Sequence, residues 1–414
     1  MPHVSRPRRT AGDFFPRSVP RRRPARIAGR IMKVRALRVG LAVLIVAASA
    51  AGAQASPPEP EVGRLRAHVA TLAAPEYGGR RGEGGRKAAA YIEAAFRSYG
   101  LEPLFDGQFT QEIPGPQPGS VAGRNVGAYL AGSDPERRDE WIIVSAHFDH
   151  LGVINGVLYP GADDDASGVA MLLEVARCLS RQPEGVRRNV IVLAFDLEEL
   201  GLFGSRWFVE HSPVPLDQVR LFITADMIGR ALGGVCEPLA FVMGTENAPA
   251  LRPWIEAAAQ GRDVRIGLLG TDLLLVDRSD YGPFRARKIP YLFFSTGENP
   301  HYHRPSDTAD TINYPKLEAI SRVIYGVVRR AASADALPNW SPEPDHPVAE
   351  VAILRDVLRT LLDHREGLQI KPGTQFLMRN TLRSAEAVLK RGAMTSTERS
   401  VLLRAAQIIM FSIF

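Results

Sequence analysis

The chain has 414 residues, 45% hydrophobic and 23% charged, an ordinary globular balance with room for one sizeable α/β domain and an appendage. Its formal charge of +6 is unevenly placed: residues 1–55 hold twelve Lys/Arg against one acid, which leaves −5 for the remainder. A nucleic-acid partner therefore has no electrostatic support in the body of the protein.

In chain order, residues 1–31 are rich in Arg and Pro and read as a disordered or over-extended start. Met32-Lys33, Arg35 and Arg38 then precede an apolar run from Val39 to Ala51, and Ala53-Gln54-Ala55 supplies an A-x-A cleavage pattern. The run falls short of the roughly 20 apolar residues of a membrane span. A secretory signal cleaved after Ala55 is expected, giving an exported, periplasmic or secreted protein without a stable membrane anchor. No Cys lies near the cleavage point to carry a lipid.

RLRAHVATLAA reads as a helix, followed by the turn EYGGRRGEGG and a second helix with Ala88, Ile92, Phe96 and Tyr99 on one face, stopped at Gly100. Residues 106–131 alternate like two strands around a Pro/Gly loop. From residue 141 the rhythm changes. Strands WIIVSA, NVIVLAF, RLFITA and IPYLFFS alternate with helices near 168–181, 202–211, 249–260 and 314–333. Continuous β-branched runs between helices predict an α/β fold with a mostly parallel, mixed central sheet and helices on both faces. Residues 338–346 read as a linker, and 346–414 as a small C-terminal helical appendage whose last helix opens with the capping box Thr395-Ser396-Thr397-Glu398. The domains expected are thus a leader over 1–55, a catalytic domain over 64–335 and the appendage. Cys178 and Cys236, the only cysteines, are compatible with a disulfide and equally with two buried thiols.

Five residues of metal-ligand type are placed at the ends of predicted strands: His147 in SAHFDH, Asp164 in GADDDASG, Glu199 in DLEEL, Asp226 in ADMIG and His303 in HYHRPSDT. Ligands of such sheets bind beyond the carboxyl ends of the strands. Two histidines and three carboxylates suit a pair of divalent cations, and the extra acid Glu198 suits a general base. Asp149, two positions beyond His147, is placed to accept the other ring N–H of that histidine. Asp165 or Ser167 is expected to cap the helix that follows. Taken singly, an H-x-D pair is often structural, an Asp-rich turn is often a helix cap, and a loop His is often surface. Their joint order is what points to metal-assisted hydrolysis.

That order, H-x-D, D-D-D-A-S-G, E-E, A-D-M-I-G and H-x-P-x-D-T, with GGRRGEGGRKAAAYIEAAFRSYGLEP before it and SDYGPFRARKIPYLFFSTG within it, resembles the co-catalytic two-zinc aminopeptidases, whose relatives include glutamate carboxypeptidases and glutaminyl cyclases. The resemblance covers roughly residues 64–332. It implies that His147 and Asp226 hold one zinc, that Glu199 and His303 hold the other, and that Asp164 bridges them across a cis Asp164–Asp165 peptide. It also implies that Glu198 is the general base, with Asp149 as orienting residue, and that a hydroxide between the two ions attacks the N-terminal peptide bond of a peptide substrate. Spacing alone does not separate an aminopeptidase from a carboxypeptidase, an N-acyl amino acid hydrolase or a glutaminyl cyclase-like transferase. His303 follows Asp226 by 77 positions already occupied by a predicted helix and strands, which disfavours the dimerisation domain usual in N-acyl amino acid hydrolases. The chain departs from the pattern at Asp165, Tyr281 and Arg304, and the last two are expected to alter the substrate pocket. Arg230 and Arg304 either favour acidic groups or pair with carboxylates such as Asp307.

Overall fold

The computed structural model describes residues 58–414, so the expected signal segment and its cleavage point lie outside the described residues. The fold opens with helices α1 (Val62–Leu72) and α2 (Glu83–Ser98), then β1 (Glu102–Pro103), β2 (Thr110–Pro114) and β3 (Val121–Leu130). The site-bearing half follows: β4 (Trp141–His147), the hairpin β5 (Gly152–Ile154) and β6 (Val157–Tyr159), α3 (Ala166–Arg181), β7 (Asn189–Phe195), α4 (Phe203–Glu210) and β8 (Val219–Ala225). Next come β9 (Leu239–Met243), α5 (Arg252–Ala259), β10 (Arg265–Leu268), α6 (Tyr281–Ala286), β11 (Tyr291–Ser295) and α7 (Tyr314–Ser333). Three helices close the chain: α8 (Ala349–Asp363), α9 (Pro372–Arg391) and α10 (Ser396–Ile413), the last capped by Thr395 and Glu398 as its sequence predicts.

Among the described residues nine strands form one sheet in the order β1-β3-β7-β4-β8-β11-β9-β10, with β2 alongside β3. The centre, β7-β4-β8-β11, is parallel; β3 joins β7 and β9 joins β11 antiparallel. Every residue of β7 is buried, which is why its sequence is an uninterrupted apolar run. The period of two assigns alternate residues to opposite layers. Val190, Val192 and Ala194 face a cluster with α1, α2, α3, α5 and α7, whereas Ile191, Leu193 and Phe195 face a second cluster. That second cluster contains Phe208 of α4 and Phe284 of α6, and also Ile353, Val357, Leu358 and Leu361 of α8, Met378 of α9 and Ile409 of α10.

The C-terminal helices thus complete one face of the sheet, and residues 58–414 belong to a single compact unit. The segment 338–346 carries no helix or strand but is tied down. Ser341 N–H donates to the Asn247 carbonyl (2.7 Å), Asp345 N–H to the Glu246 carbonyl (2.8 Å), and Arg252 pairs with Asp345 (2.5 Å). Cys178 and Cys236 are both free and buried, and burial pushes their thiols up to about 12 and about 11.

Candidate metal centre and substrate cleft

β4 delivers His147 at its carboxyl end, where its backbone is still in register with Phe195 of β7. The ring Nδ1 lies 3.2 Å from the backbone carbonyl of Asp149 and 3.6 Å from its carboxylate, so the main chain is the nearer orienting partner. The Asp149 carboxylate instead accepts the backbone N–H groups of Glu198 (3.0 Å) and Glu199 (3.3 Å). It thereby fastens the loop after β7 to the loop after β4. The other ring nitrogen of His147, Nε2, faces Asp164 (3.3 Å) and Asp226 (3.5 Å), the latter directly after β8.

Asp164 departs from the expectation that each ligand ends a strand. It follows the β5–β6 hairpin and sits on the turn into α3, where the Asp164–Asp165 peptide is cis. Three consecutive acids divide the work by direction. Asp165 caps α3 by accepting the Gly168 N–H (2.9 Å), and also accepts the N–H groups of His147 and Met227 (both 3.3 Å). Asp163 accepts from Gly229 N–H (2.6 Å) and the Asn299 side chain (3.1 Å). Only Asp164 turns toward the histidines.

The far wall is built by Glu199, His150 and His303. His150 Nδ1 lies 2.8 Å from Glu199, and His303 Nε2 lies 3.1 Å from both Asp164 and Glu199. Two sets of ligand atoms result, His147–Asp164–Asp226 and His150–Asp164–Glu199, each within 4.8 Å and sharing Asp164. All five ligand candidates and Glu198 therefore meet at one rim. His150 was not anticipated. Its signal lay in the sequence, as the second histidine of AHFDH, but the role given to Asp149 absorbed the motif. Leu197, Met227 and His303 adopt φ of 60°, 54° and 53°, a region non-glycine residues seldom visit, and each adjoins or is a residue of the site.

Several buried groups hold this rim without facing the cleft. Arg80, from the turn after α1, is fully buried. It donates to the carbonyls of Phe148, Leu72, Pro160, Gly161 and Asp164 at 2.6–3.2 Å. Asp307 accepts the N–H of Asp163 (2.8 Å) and of Asp164 (3.2 Å) and pairs with Arg230 (2.6 Å), which settles Arg230 as a partner of local acids.

The electrostatics follow from crowding carboxylates and imidazoles in a dry cleft. Burial opposes ionisation of Asp164, but His150, His147 and His303 outweigh it and hold the carboxyl well below its usual range. Burial and Asp164 act against Glu199 as well, and hydrogen bonds from His150 and His303 bring it below normal. Glu198 goes the other way. Burial raises it well above a normal carboxyl, Asp226, Asp280 and Asp149 add to the rise, and His147 opposes it.

The cleft opens into a cavity of about 470 Å³ lined by Asp164, Glu198, Glu199, Asp226 and His303, and elsewhere mainly by apolar side chains from β9, β11, α8 and α10. Tyr281 and Arg304 do not line it, contrary to expectation. Tyr281 is buried, stacks on Tyr291 and Phe293 and accepts the Arg278 N–H at its hydroxyl (3.2 Å), so it meets the cavity through Phe293 and Arg278, and Arg304 is exposed. Arg278, paired with Glu298 (2.6 Å), and Tyr302 line it instead. A further group of possible ligands, Asp272–His346–Glu350, already holds Arg399, which pairs with Asp272 (2.6 Å) and Glu350 (3.3 Å).

Comparison with known proteins agrees with this architecture. The chain is 27% identical over 205 residues to aminopeptidase YwaD of Bacillus subtilis, a match spanning 48% of this chain and 42% of that protein. The structure of the Legionella pneumophila LapA aminopeptidase superposes with a TM-score of 0.53 at 21% identity, covering 66% of this chain and 72% of that one. Porphyromonas gingivalis glutaminyl cyclase superposes with a TM-score of 0.53 at 21% identity, covering 66% and 98%. The model of Peptidase family M28 matches residues 125–328, just under half of the chain and the segment that supplies the whole candidate metal centre.

Proposed function

We propose that the protein is an exported zinc-dependent exopeptidase that removes N-terminal residues from peptides. The observation that carries this reading is the donor set itself. His147 Nε2 and His150 Nε2 are buried without a hydrogen-bond partner, and His150 Nδ1 faces Glu199 Oε1 (2.8 Å), at the point where three carboxylates converge. Buried polar atoms without partners are costly, so such a cluster fits cations. Mixed imidazole and carboxylate donors suit zinc. His147 and Asp226 would hold one ion, Glu199 with His303 or His150 the other, and Asp164 both.

Divalent cations bound there would supply an acidified water and polarise the scissile carbonyl. The remaining roles belong to side chains. Glu198 lines the cavity beside Asp226, and its raised proton affinity suits a base that takes the proton of the attacking water and passes it to the departing amine. Asp149 fixes the main chain of both glutamates, which positions Glu198 against the carbonyl. An unprotonated substrate amine near the cluster would make the reaction an aminopeptidase one, in keeping with the names of YwaD and LapA. The glutaminyl cyclase likeness favours a transferase reading less, because the set of five ligand candidates suits two ions. None of the described helices is long and apolar enough to cross a membrane.

Two measurements test the reading: zinc per chain, and residue release from a free peptide against its N-acetylated form. About two zinc ions and release from the free peptide alone are expected. Release from the acetylated peptide alone, cyclisation of an N-terminal glutamine, or a metal-free protein indifferent to chelators would each overturn it.

A further inference from the structure

The cavity does not stop at the metal-ligand cluster. Its lining passes Phe293 and Met243 of the sheet and Leu274, and reaches Ile353 of α8 and Ala406 and Phe411 of α10. Both helices lie outside the segment 125–328, so this wall is not part of the shared family core. The volume of about 470 Å³ is far more than one side chain fills. An apolar cavity of about 150 Å³ takes a benzene ring, and sites that enclose whole small ligands run from about 300 to 1,000 Å³. Charged groups on its wall are neutralised in pairs, Arg278 with Glu298 (2.6 Å) and Arg399 with Glu350 (3.3 Å), which leaves little to recognise a charged tail. Leu275, Val276 and Phe411, all on the lining, are 71%, 64% and 85% exposed, apolar area that water penalises until it is covered.

We propose that α8 and α10 turn the cleft into an acceptor for an extended apolar chain. The substrates would carry, beside the scissile amide, a long hydrocarbon chain or a run of large apolar residues rather than one apolar side chain. The proposal rests on the exopeptidase reading for its orientation, since the same cavity is lined both by Glu198 and Asp226 and by the apolar side chains of α8 and α10. Burying one more methylene is worth up to about fourfold in affinity, so chain length is the readout.

The test uses full-length protein and two substrate series, one with N-terminal side chains of one, four and eight carbons, the other with one, two and three leucines on the leaving side. We expect kcat/KM to rise by at least tenfold along one of the two. A gain in the first assigns a hydrocarbon tail and in the second consecutive residues. Ala406→Trp, which fills the channel away from the metal ligands, should erase the gain and leave the shortest substrate unchanged. Phe411→Ser, at an exposed position that folding does not need, should cut the gain for the longest member only. Binding of 1-butanol and 1-octanol to zinc-free protein reads the acceptor without activity: octanol should bind at least tenfold tighter, and Ala406→Trp should abolish the difference. Failure to cleave even the shortest substrate sinks the exopeptidase reading. Equal binding of the two alcohols, or flat kinetics in both series, sinks the acceptor.

Discussion

Arg80→Met measures how much the rim depends on a guanidinium remote from any substrate. All three of its nitrogens are in use, with five bonds to carbonyls: Nε to Phe148 (2.7 Å), Nη1 to Leu72 (3.2 Å) and Pro160 (2.6 Å), and Nη2 to Gly161 (2.7 Å) and Asp164 (2.9 Å). A hydrogen bond from a charged donor contributes about 1.5–3 kcal/mol, but five bonds to one group are not additive, and water can enter the vacated space. We therefore expect a loss of about 4 kcal/mol, near the roughly 3–5 kcal/mol lost when a buried ionic partner is removed. Arg80→Lys keeps three donors and should lose about half as much. Urea unfolding of the zinc-free protein, read as a midpoint shift at constant slope, gives both numbers. Zinc affinity should fall alongside, because the fastened segment carries Asp149, His150 and Asp164. A Met variant within about 1 kcal/mol of wild type, or Lys and Met variants equally unstable, would refute counting these bonds as the source of rigidity.

Other outcomes follow from the same geometry. Glu198→Gln should lower kcat by about 10²–10⁴-fold with zinc content unchanged, measured by turnover and metal analysis together. His150→Ala removes a nitrogen 2.8 Å from Glu199 and should weaken zinc binding about 10–100-fold in a chelator competition, whether that ring ligates or orients. Ile353→Ala, at a buried position of α8, should cost about 2–4 kcal/mol and lower one shared thermal transition. A separate early transition would show instead that the C-terminal helices fold independently. Acid should loosen the seat of α10. Burial opposes ionisation of Glu350 and Asp272, but His346 and Arg399 hold Glu350 low and Arg399 holds Asp272 low. Their stabilisation is complete above the unfolded carboxyl values near about pH 4 and disappears as pH falls through the lower folded values. Arg399→Met should flatten the acid limb of a stability-versus-pH curve.

The central strands were legible because burial on both faces writes continuous apolar runs, and β4, β7, β8 and β11 fall where those runs are. β9 and β10 are short, and the helical and strand periods of their sequences compete. The ligand order was readable because each residue type sits where a parallel sheet must present it. Which of Asp163, Asp164 and Asp165 faces the cleft was decided by partners 62–144 residues away, among them Gly229, Met227 and Asp307, and no local pattern encodes those bonds. Arg80 hid for the same reason: in a Gly/Arg turn it reads as solvated, and its carbonyl partners become visible only once the chain folds back on itself. The spacing of α8–α10 revealed three helices with an apolar face but not the partner of that face, the second layer of the sheet's core.

That shared wall ties two properties together. Ile353 and Val357 serve the sheet's hydrophobic cluster and also border the cavity. A mutation that reshapes the cavity there is therefore also a mutation in the packed core, and change in its shape is limited by how much loss of cohesion the domain tolerates. Positions such as Phe411, on the lining yet free of that packing, are where selection can retune diet without endangering the fold.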